Sequence, residues 1–455
     1  MIKTINPATG ETLNSYSEHS ILEIDEIIIN LKEQQSKWRK TKVENRINCI
    51  KNIKRILLEK CDSYAIVITN EMGKPFKESI AEIKKCISLC EFYINHGENF
   101  LKDQNIELIG VKAKRIFQPL GIIYTIMPWN FPFWQVLRSI IPSILLGNVV
   151  ILKHAENVIE SGYRIEYLIH ESTGLSILKN IVINFNLSEY IIKHPMVSAV
   201  TFTGSNKVGS IIARQAGEVC KKVILELGGS DAYIIRKDVN IKEVADHIVK
   251  TRMLNAGQVC ISPKRLIVDK SIQYDFEKEI LESVHRIKMG DPFNPEYSMG
   301  PLAKYNVRDN LDNQVKKSIQ QGAKLIYGGH IIKEQPNGLY YSPTILTNVT
   351  TEMVAFKEEL FGPVIVITIS ENDDHAIQLV NTSIYGLGGG IFTNDIPFAK
   401  KVAKYHIESG MCFINQCVSS HPALPFGGIK QSGYGRECSV EALRELANIK
   451  TILIR

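Results

Sequence analysis

Residues 197–227, with the sequence VSAVTFTGSNKVGSIIARQAGEVCKKVILEL, decide the fold. The segment 197–202 is an apolar run typical of a buried strand, and residues 206–217 are predicted as a helix. Residues 223–227 are predicted as a second buried strand. A strand, a helix and a strand in this order predict a βαβ unit, whose strands lie parallel in a sheet.

The same alternation continues on both sides of this unit. Upstream, we predict strands at 149–152 and 180–184 and helices at 158–170 and 188–193. Downstream, further strands are predicted at 232–235, 265–268, 364–369, 390–392 and 412–414. These segments predict two α/β domains with parallel sheets, which usually bind ligands at the carboxyl ends of their strands.

The two ends of the chain depart from this pattern. Apolar residues recur at three- and four-residue spacing in 21–29, 45–58 and 79–92, which predicts helices. Residues 106–127 are rich in β-branched residues, and residues 449–454 alternate like an edge strand. Such a terminal strand pairs either with another subunit or with a sheet of its own chain.

Length and charge exclude several classes of protein. A chain of 455 residues predicts two to four domains. It has 54 basic and 48 acidic residues, a formal net charge of +6, and no block of five basic residues, so nucleic-acid binding is not expected. The most apolar stretch, residues 140–152, is interrupted by Pro142 and Gly147 and is shorter than the roughly 18 apolar residues of a membrane span.

Cysteine usage predicts a reducing compartment. The nine cysteines are an odd number and are scattered along the chain, and residues 1–10 lack the apolar core of a signal peptide. We therefore expect free thiols and a cytoplasmic location. No cluster of His or Cys has the spacing of metal ligands, so no metal site is expected.

One motif has the position of a phosphate-binding loop. Gly204 and Ser205 follow the strand 197–202 and open the helix 206–217, where backbone N–H groups and the helix dipole suit a pyrophosphate. The motif lacks the G-x-G-x-x-G and P-loop patterns. An ordinary turn with Ser205 as the helix N-cap explains the same residues.

Three further residues have the chemistry of a catalytic site. Asn130, in the stiff loop 128–132, can donate to a developing oxyanion. Glu226 ends a buried strand, which raises the pKa of a carboxylate and suits a general base. Cys260 follows a turn of small residues and can act as a nucleophile. Taken singly, each has a structural explanation: a turn, a strand end that reaches solvent, and a buried thiol.

Taken in order, these motifs resemble the NAD(P)-dependent aldehyde dehydrogenase family over nearly the whole chain. The resemblance rests on residues 71–75, 128–132, 202–209, 226–229, 359–363 and 425–428, together with Lys153, Gly257, Gln258 and Cys260. It implies an α/β fold with a Rossmann-like cofactor domain at 1–103 and 120–228, a catalytic domain at 229–430, and a small β oligomerisation arm at 104–119 and 431–455. It also implies homodimers or homotetramers.

The resemblance assigns roles to the residues of the site. Cys260 would attack the aldehyde carbon, Asn130 would stabilise the oxyanion, and Glu226 would activate the water that hydrolyses the thioester. The residues implied at the cofactor are Trp129, Lys153, Glu156, Gly204, Ser205, Leu227, Glu359 and Phe361. Glu156 accepts hydrogen bonds from ribose hydroxyls and repels a 2′-phosphate, whereas Lys153 acts in the opposite sense, so NAD is preferred over NADP.

The substrate expected from the resemblance is succinate semialdehyde. Arg138 lies eight residues after Asn130, where the members of the family that act on this substrate carry an arginine for its carboxylate. Phe426 is the second residue expected at the substrate. Some of those members have a further arginine and a redox-active cysteine, but this chain has Leu254 and Ser262 at those positions. The alternatives are a CoA-acylating dehydrogenase, which Glu226 argues against, and a non-catalytic scaffold of the same fold.

Overall fold

The computed structural model describes residues 1–333 and 338–454. In these residues, strands from separate regions of the chain form three sheets that each have at least three strands. The strands are β1 (Ile2–Ile5), β2 (Thr12–Tyr16), β3 (Gln104–Leu108), β4 (Val111–Pro119), β5 (Ile122–Met127), β6 (Val149–His154), β7 (Leu178–Asn180), β8 (Val197–Thr203), β9 (Lys222–Glu226), β10 (Ala232–Ile235), β11 (Arg265–Asp269), β12 (Lys324–Tyr327), β13 (Thr344–Thr347), β14 (Val364–Ser370), β15 (Tyr385–Gly386), β16 (Gly388–Phe392), β17 (Met411–Ile414), β18 (Ile429–Lys430), β19 (Gly433–Tyr434) and β20 (Ala447–Ile454).

Helices connect and cover these strands. They are α1 (Ile21–Trp38), α2 (Val43–Glu59), α3 (Cys61–Met72), α4 (Phe76–Phe100), α5 (Trp134–Leu146), α6 (Ile159–Thr173), α7 (Phe185–Lys193), α8 (Asn206–Gly217), α9 (Ile241–Met253), α10 (Gln273–His285), α11 (Tyr305–Gln320), α12 (Val354–Lys357), α13 (Asp373–Asn381), α14 (Ile396–Tyr405) and α15 (Ser439–Glu445). Within the described residues, no helix is both long and apolar enough to cross a membrane.

The first large sheet has six strands in the order β19-β9-β8-β5-β6-β7. The five strands from β9 to β7 are parallel, and only β19 runs antiparallel to its neighbour. The unit predicted from residues 197–227 is confirmed: β8 and β9 are parallel neighbours, and α8 connects them over the predicted residues.

The second large sheet has seven strands in the order β12-β13-β14-β11-β10-β16-β17. All neighbours are parallel except β12 and β13. The chain passes from β9 in the first sheet to β10 in the second through residues 227–231. The carboxyl end of β9, where Glu226 lies, is therefore close to the second sheet. The α/β fold class is confirmed.

A third sheet is made of the antiparallel strands β3, β4 and β20. Strand β20 pairs with β4 along eight residues, from Ala447 opposite Pro119 to Ile454 opposite Lys112. Most residues of β20 are exposed. Strand β19, in contrast, pairs with β9 in the six-stranded sheet, so residues 431–455 contribute to two sheets. The domain limits given above stay a prediction.

One predicted strand lies elsewhere. The apolar run predicts a strand at residues 180–184, but β7 covers Leu178–Asn180. The apolar residues after it are buried without forming a strand, and the side chain of Asn184 instead accepts hydrogen bonds from two backbone N–H groups of α7. An apolar run of this length is compatible with a strand or with a buried loop, and periodicity does not separate the two.

Candidate active site

Cys260 follows a short 3₁₀ helix with an unusual backbone. This helix spans Leu254–Gly257. Within it, Asn255 has φ 53° and Ala256 has φ 51°, which lie in the left-handed region that residues other than glycine rarely adopt. Gly257 has φ +73°, and a Cβ atom there would collide with the backbone of Gly362. Backbone strain of this kind persists only where surrounding contacts maintain it.

A buried arginine provides several of those contacts. The Arg252 guanidinium donates to the carbonyl oxygens of Gly257 and Leu360, at 2.9 and 2.8 Å, and to Oγ of Ser262 at 2.5 Å. It has no exposed surface. Ser262 is thus an acceptor that helps to fix the loop.

A buried lysine links the cysteine to Glu359. The Lys264 ammonium donates to the carbonyl oxygens of Val259 and Cys260, at 2.9 and 2.6 Å. It also lies 3.1 Å from Oε1 of Glu359. One cation therefore sets the positions of the predicted nucleophile and of a predicted cofactor ligand.

The Cys260 side chain borders a cavity of about 290 Å³. Its other lining residues are Pro128, Trp129, Asn130, Gln135, Thr203, Gly204, Ser205, Leu227, Gly228, Asn310, Glu359 and Phe361. Burial raises the pKa of the Cys260 thiol to about 12, and the positive charges of Lys264 and Arg138 act in the opposite direction. The thiol is therefore protonated at neutral pH, and attack on a carbonyl requires removal of its proton.

Asn130 is fixed beside the cysteine by three hydrogen bonds. Its Nδ2 donates to the carbonyl of Gln258 at 2.9 Å, and its Oδ1 accepts from Nε2 of Gln135 at 3.0 Å. The side chain of Asn255 donates to the Asn130 carbonyl at 2.8 Å. An amide nitrogen carries two hydrogens, so Asn130 retains one for a ligand in the cavity.

Glu226 is buried at the end of β9 and does not line this cavity. Neither of its carboxylate oxygens has a hydrogen-bond partner among the described residues. Burial raises its pKa well above the usual range, and the negative charge of Glu437 adds to the shift, whereas Arg138 and Arg436 oppose it. An unpartnered carboxylate with a raised pKa has the properties of a general base.

Arg138 and Phe426 are in contact with each other, and neither is among the residues that line the cavity. The Arg138 guanidinium carbon lies 4.3 Å from the centre of the Phe426 ring, and its Nε lies 2.5 Å from Oε2 of Glu437. Glu226 and Cys260 lie close enough to Arg138 that their charged forms would raise its pKa. The predicted substrate arginine is therefore near the predicted catalytic residues, but it already has a buried acidic partner.

Most residues predicted at the cofactor line the cavity together. The rings of Trp129 and Phe361 meet edge to face, with centroids 5.7 Å apart. Ser205 is the N-cap of α8, and the cavity lies at this helix N-terminus next to Gly204. The buried Oγ1 of Thr203 has no partner in the described chain. Free polar groups, aromatic walls and a helix N-terminus suit a dinucleotide.

Lys153 and Glu156 line a separate small depression. Burial lowers the pKa of Lys153, and Glu156 opposes this shift. Lys304 is close to both residues, since their charges act on its pKa, which burial lowers. The site predicted to bind the ribose hydroxyls of the cofactor thus contains two lysines and one glutamate.

Sequence reasoning missed Arg252, Lys264, Lys304 and Glu437. Each is a single charged residue without a motif, and its partners come from other elements. A charged residue within an apolar neighbourhood was the only signal, and that signal does not identify a partner. In the described part of the chain, no group of three or more His, Cys, Asp or Glu residues could hold a metal ion.

Comparison with known proteins agrees with the geometry. The model of the aldehyde dehydrogenase family matches residues 1–452. The chain is 40% identical over 452 residues to a succinate semialdehyde dehydrogenase [NAD(P)+] of Escherichia coli (strain K12), and the match covers 99% of this chain and 97% of that protein. It is 35% identical to a succinate-semialdehyde dehydrogenase [NADP(+)] of Deinococcus radiodurans, with 99% and 94% covered.

A solved structure extends the match to three dimensions. The succinic semialdehyde dehydrogenase of Streptococcus pyogenes, in complex with NADP+, superposes with a TM-score of 0.96 at 35% identity, with 99% of each chain covered. The resemblance inferred from the motifs is therefore confirmed, as is the expectation of an enzyme that oxidises aldehydes. The chain belongs to the aldehyde dehydrogenase family.

Proposed function

We propose that the protein oxidises succinate semialdehyde to succinate with NADP or NAD as the oxidant. The observation that carries this proposal is the shared cavity of Cys260, Asn130 and the residues that suit a dinucleotide. The substrate is supported by relatives of 35–40% identity that are named for it. The substrate is also supported by the presence of Arg138 close to Cys260 and Glu226.

Cys260 forms the covalent bond to the substrate. The thiol first loses its proton to water, and the thiolate then attacks the aldehyde carbon and gives a thiohemiacetal. The negative charge that develops on oxygen accepts a hydrogen bond from Nδ2 of Asn130. Because Asn130 is fixed by Gln258 and Gln135, this donor needs little reorganisation during the reaction.

Residues around the cavity bind and orient the dinucleotide. Ser205 and Gly204 at the start of α8 would face its pyrophosphate, Trp129, Leu227 and Phe361 would form apolar walls, and Glu359 would bind a ribose. A nicotinamide dinucleotide held by these residues would supply the hydride acceptor needed to oxidise the thiohemiacetal to a thioester.

Glu226 completes the reaction by activating water. Deprotonated Glu226 takes a proton from a water molecule, the oxygen attacks the thioester carbon, and the Cys260 thiolate leaves. The buried, unpartnered carboxylate supports this role rather than transfer to CoA.

The choice between the two cofactors depends on the charges near the ribose. Glu156 favours NAD, as expected from the sequence, whereas Lys153 and Lys304 favour the 2′-phosphate of NADP. We infer that both cofactors are used. Replacement of Lys304 by Met should lower kcat/KM for NADP more than that for NAD, and an equal change would remove this role.

We further propose that the three domains predicted above are functional units and that the chain forms homodimers or homotetramers in the cytoplasm. Support comes from β20, whose edge exposes Ile449, Leu453 and Ile454. Sedimentation velocity of the purified chain, with and without a charged substitution at Leu453, tests the role of this strand. A mass of one subunit for the unaltered chain would contradict it.

Steady-state kinetics with two aldehydes of equal chain length test the substrate. Succinate semialdehyde should have a KM at least about tenfold below that of uncharged butanal, since a charge-assisted hydrogen bond contributes about 1.5–3 kcal/mol. Replacement of Arg138 by Met should reduce this preference. Equal KM values in the unaltered enzyme would refute the proposed substrate.

A further inference from the structure

Lys85 of α4 extends its side chain into the region of Arg138 and away from solvent. Its Nζ lies 4.4 Å from the ring centre of Trp134 and donates to Oγ of Ser420 at 2.6 Å. A serine hydroxyl is neutral, so this contact satisfies one of the three ammonium hydrogens but leaves the charge uncompensated.

No acidic side chain in the described residues forms an ion pair with Lys85, although the residue is half-buried. The nearby Glu82 is already paired with Lys74, and its Oε1 accepts from the backbone N–H groups of Phe133 and Trp134, at 2.8 and 3.0 Å. Burial lowers the pKa of Lys85 to about 8, and the positive charge of Arg138 adds to this shift. A half-buried cation beside a second cation is a costly arrangement.

The two cations lie on one side of α5. Trp134, which contacts Lys85, and Arg138 are four residues apart in this helix and therefore share a face. The loop that precedes β18 contacts both groups, because Ser420 accepts from Lys85 and Phe426 packs against Arg138. Lys85 and Arg138 thus border the same small region between α5 and this loop.

Among the described residues, Lys85 is the cation of this region that has no ion-pair partner. Arg138 is paired with Glu437, and burial raises the pKa of Glu226, which disfavours the charged form of that carboxyl group. An anionic ligand that entered this region would remove the repulsion between the two cations and supply the missing partner of the ammonium.

We propose that Lys85 binds the carboxylate of the substrate together with Arg138, and so determines the preference for an acidic aldehyde. Lys85 supplies the second positive charge beside Arg138. This inference rests on the proposed function, since it assigns a residue to the recognition of succinate semialdehyde.

The test compares Lys85→Met with Lys84→Met. Lys84 is an exposed neighbour on the same helix and serves as a matched control for loss of one charge. The KM of succinate semialdehyde divided by the KM of butanal should rise about tenfold in Lys85→Met, which is about 1.4 kcal/mol, and stay unchanged in Lys84→Met. Lys85→Arg should keep the ratio near that of the unaltered enzyme.

Thermal unfolding of the same variants separates binding from a structural role. Because the lone ammonium is repelled by Arg138, Lys85→Met should unfold at the same or a higher temperature than the unaltered enzyme. An unchanged KM ratio in Lys85→Met, or a lowered unfolding temperature with equal KM changes for both aldehydes, would overturn the inference. Equal KM values in the unaltered enzyme would instead refute the proposed substrate.

Discussion

Nε of Arg138 lies 2.5 Å from Oε2 of Glu437, and both side chains are almost completely buried. The pair joins α5 to the segment between β19 and α15. It also lies next to Glu226, because the charges of both residues act on the Glu226 pKa. A change in this ion pair should therefore alter both the stability of the fold and the pKa of Glu226, the predicted base.

Removal of the acidic partner should destabilise the fold. Glu437→Gln leaves the Arg138 charge buried and unpaired, which should lower the free energy of unfolding by about 3 kcal/mol in urea titrations. The double variant Arg138→Met/Glu437→Gln removes the stranded charge, so its loss should be smaller than the sum of the two single losses. Strictly additive losses would show that the two groups do not interact.

The same variant should change the pH dependence of thioester hydrolysis. Glu226 acts in its deprotonated form, so the hydrolysis rate rises as the pH increases through its pKa. The negative charge of Glu437 helps to raise this pKa. Glu437→Gln should therefore move the rising limb of the single-turnover rate to lower pH, and Glu226→Gln should abolish the limb. A limb that persists in Glu226→Gln would assign the base to another group.

Alkylation of Cys260 should depend steeply on pH in the free enzyme. The pKa of this thiol is raised to about 12 by burial, so only a small fraction is thiolate at neutral pH. The rate of its modification by iodoacetamide should rise about tenfold per pH unit from pH 7 to pH 9, since the thiolate is the reactive form. Mass spectrometry of the peptide that contains Cys260 separates this reaction from modification of the exposed Cys220. A rate that is constant over this range would indicate a thiolate that is already formed.

Gly257 and Gly174 allow backbone strain to be separated from steric collision. Both have positive φ, +73° and +67°, but a Cβ atom at Gly174 meets no atom within 4 Å, whereas one at Gly257 meets the backbone at Gly362. Gly174→Ala should cost only about 1 kcal/mol of stability, from the left-handed conformation alone. Gly257→Ala should lower the free energy of unfolding by more than Gly174→Ala does. It should also lower kcat, because the added methyl group displaces the loop that carries Cys260. If the two variants had equal effects on the free energy of unfolding and on kcat, the predicted collision at Gly257 would be contradicted.

The sequence predicted those features that depend on residues near one another in the chain. The βαβ unit of residues 197–227 has a periodicity that few other structures share, and the order of the motifs pointed to the family. The pairing of Arg138 with Glu437, and of Arg252 with the loop at Gly257, depends on packing between distant elements. No local pattern records such contacts. The predicted strand at 180–184 is wrong because a buried loop requires the same run of apolar residues as a buried strand.

The central claim is that Cys260 and water together convert succinate semialdehyde to succinate. The most direct measurement is the yield of succinate and of reduced cofactor when the purified enzyme acts on this aldehyde with NADP or NAD and without CoA. We predict equal amounts of succinate and NAD(P)H, and a loss of at least about a thousandfold in this turnover for Cys260→Ala. Formation of product only when CoA is added, or full turnover in Cys260→Ala, would contradict the account.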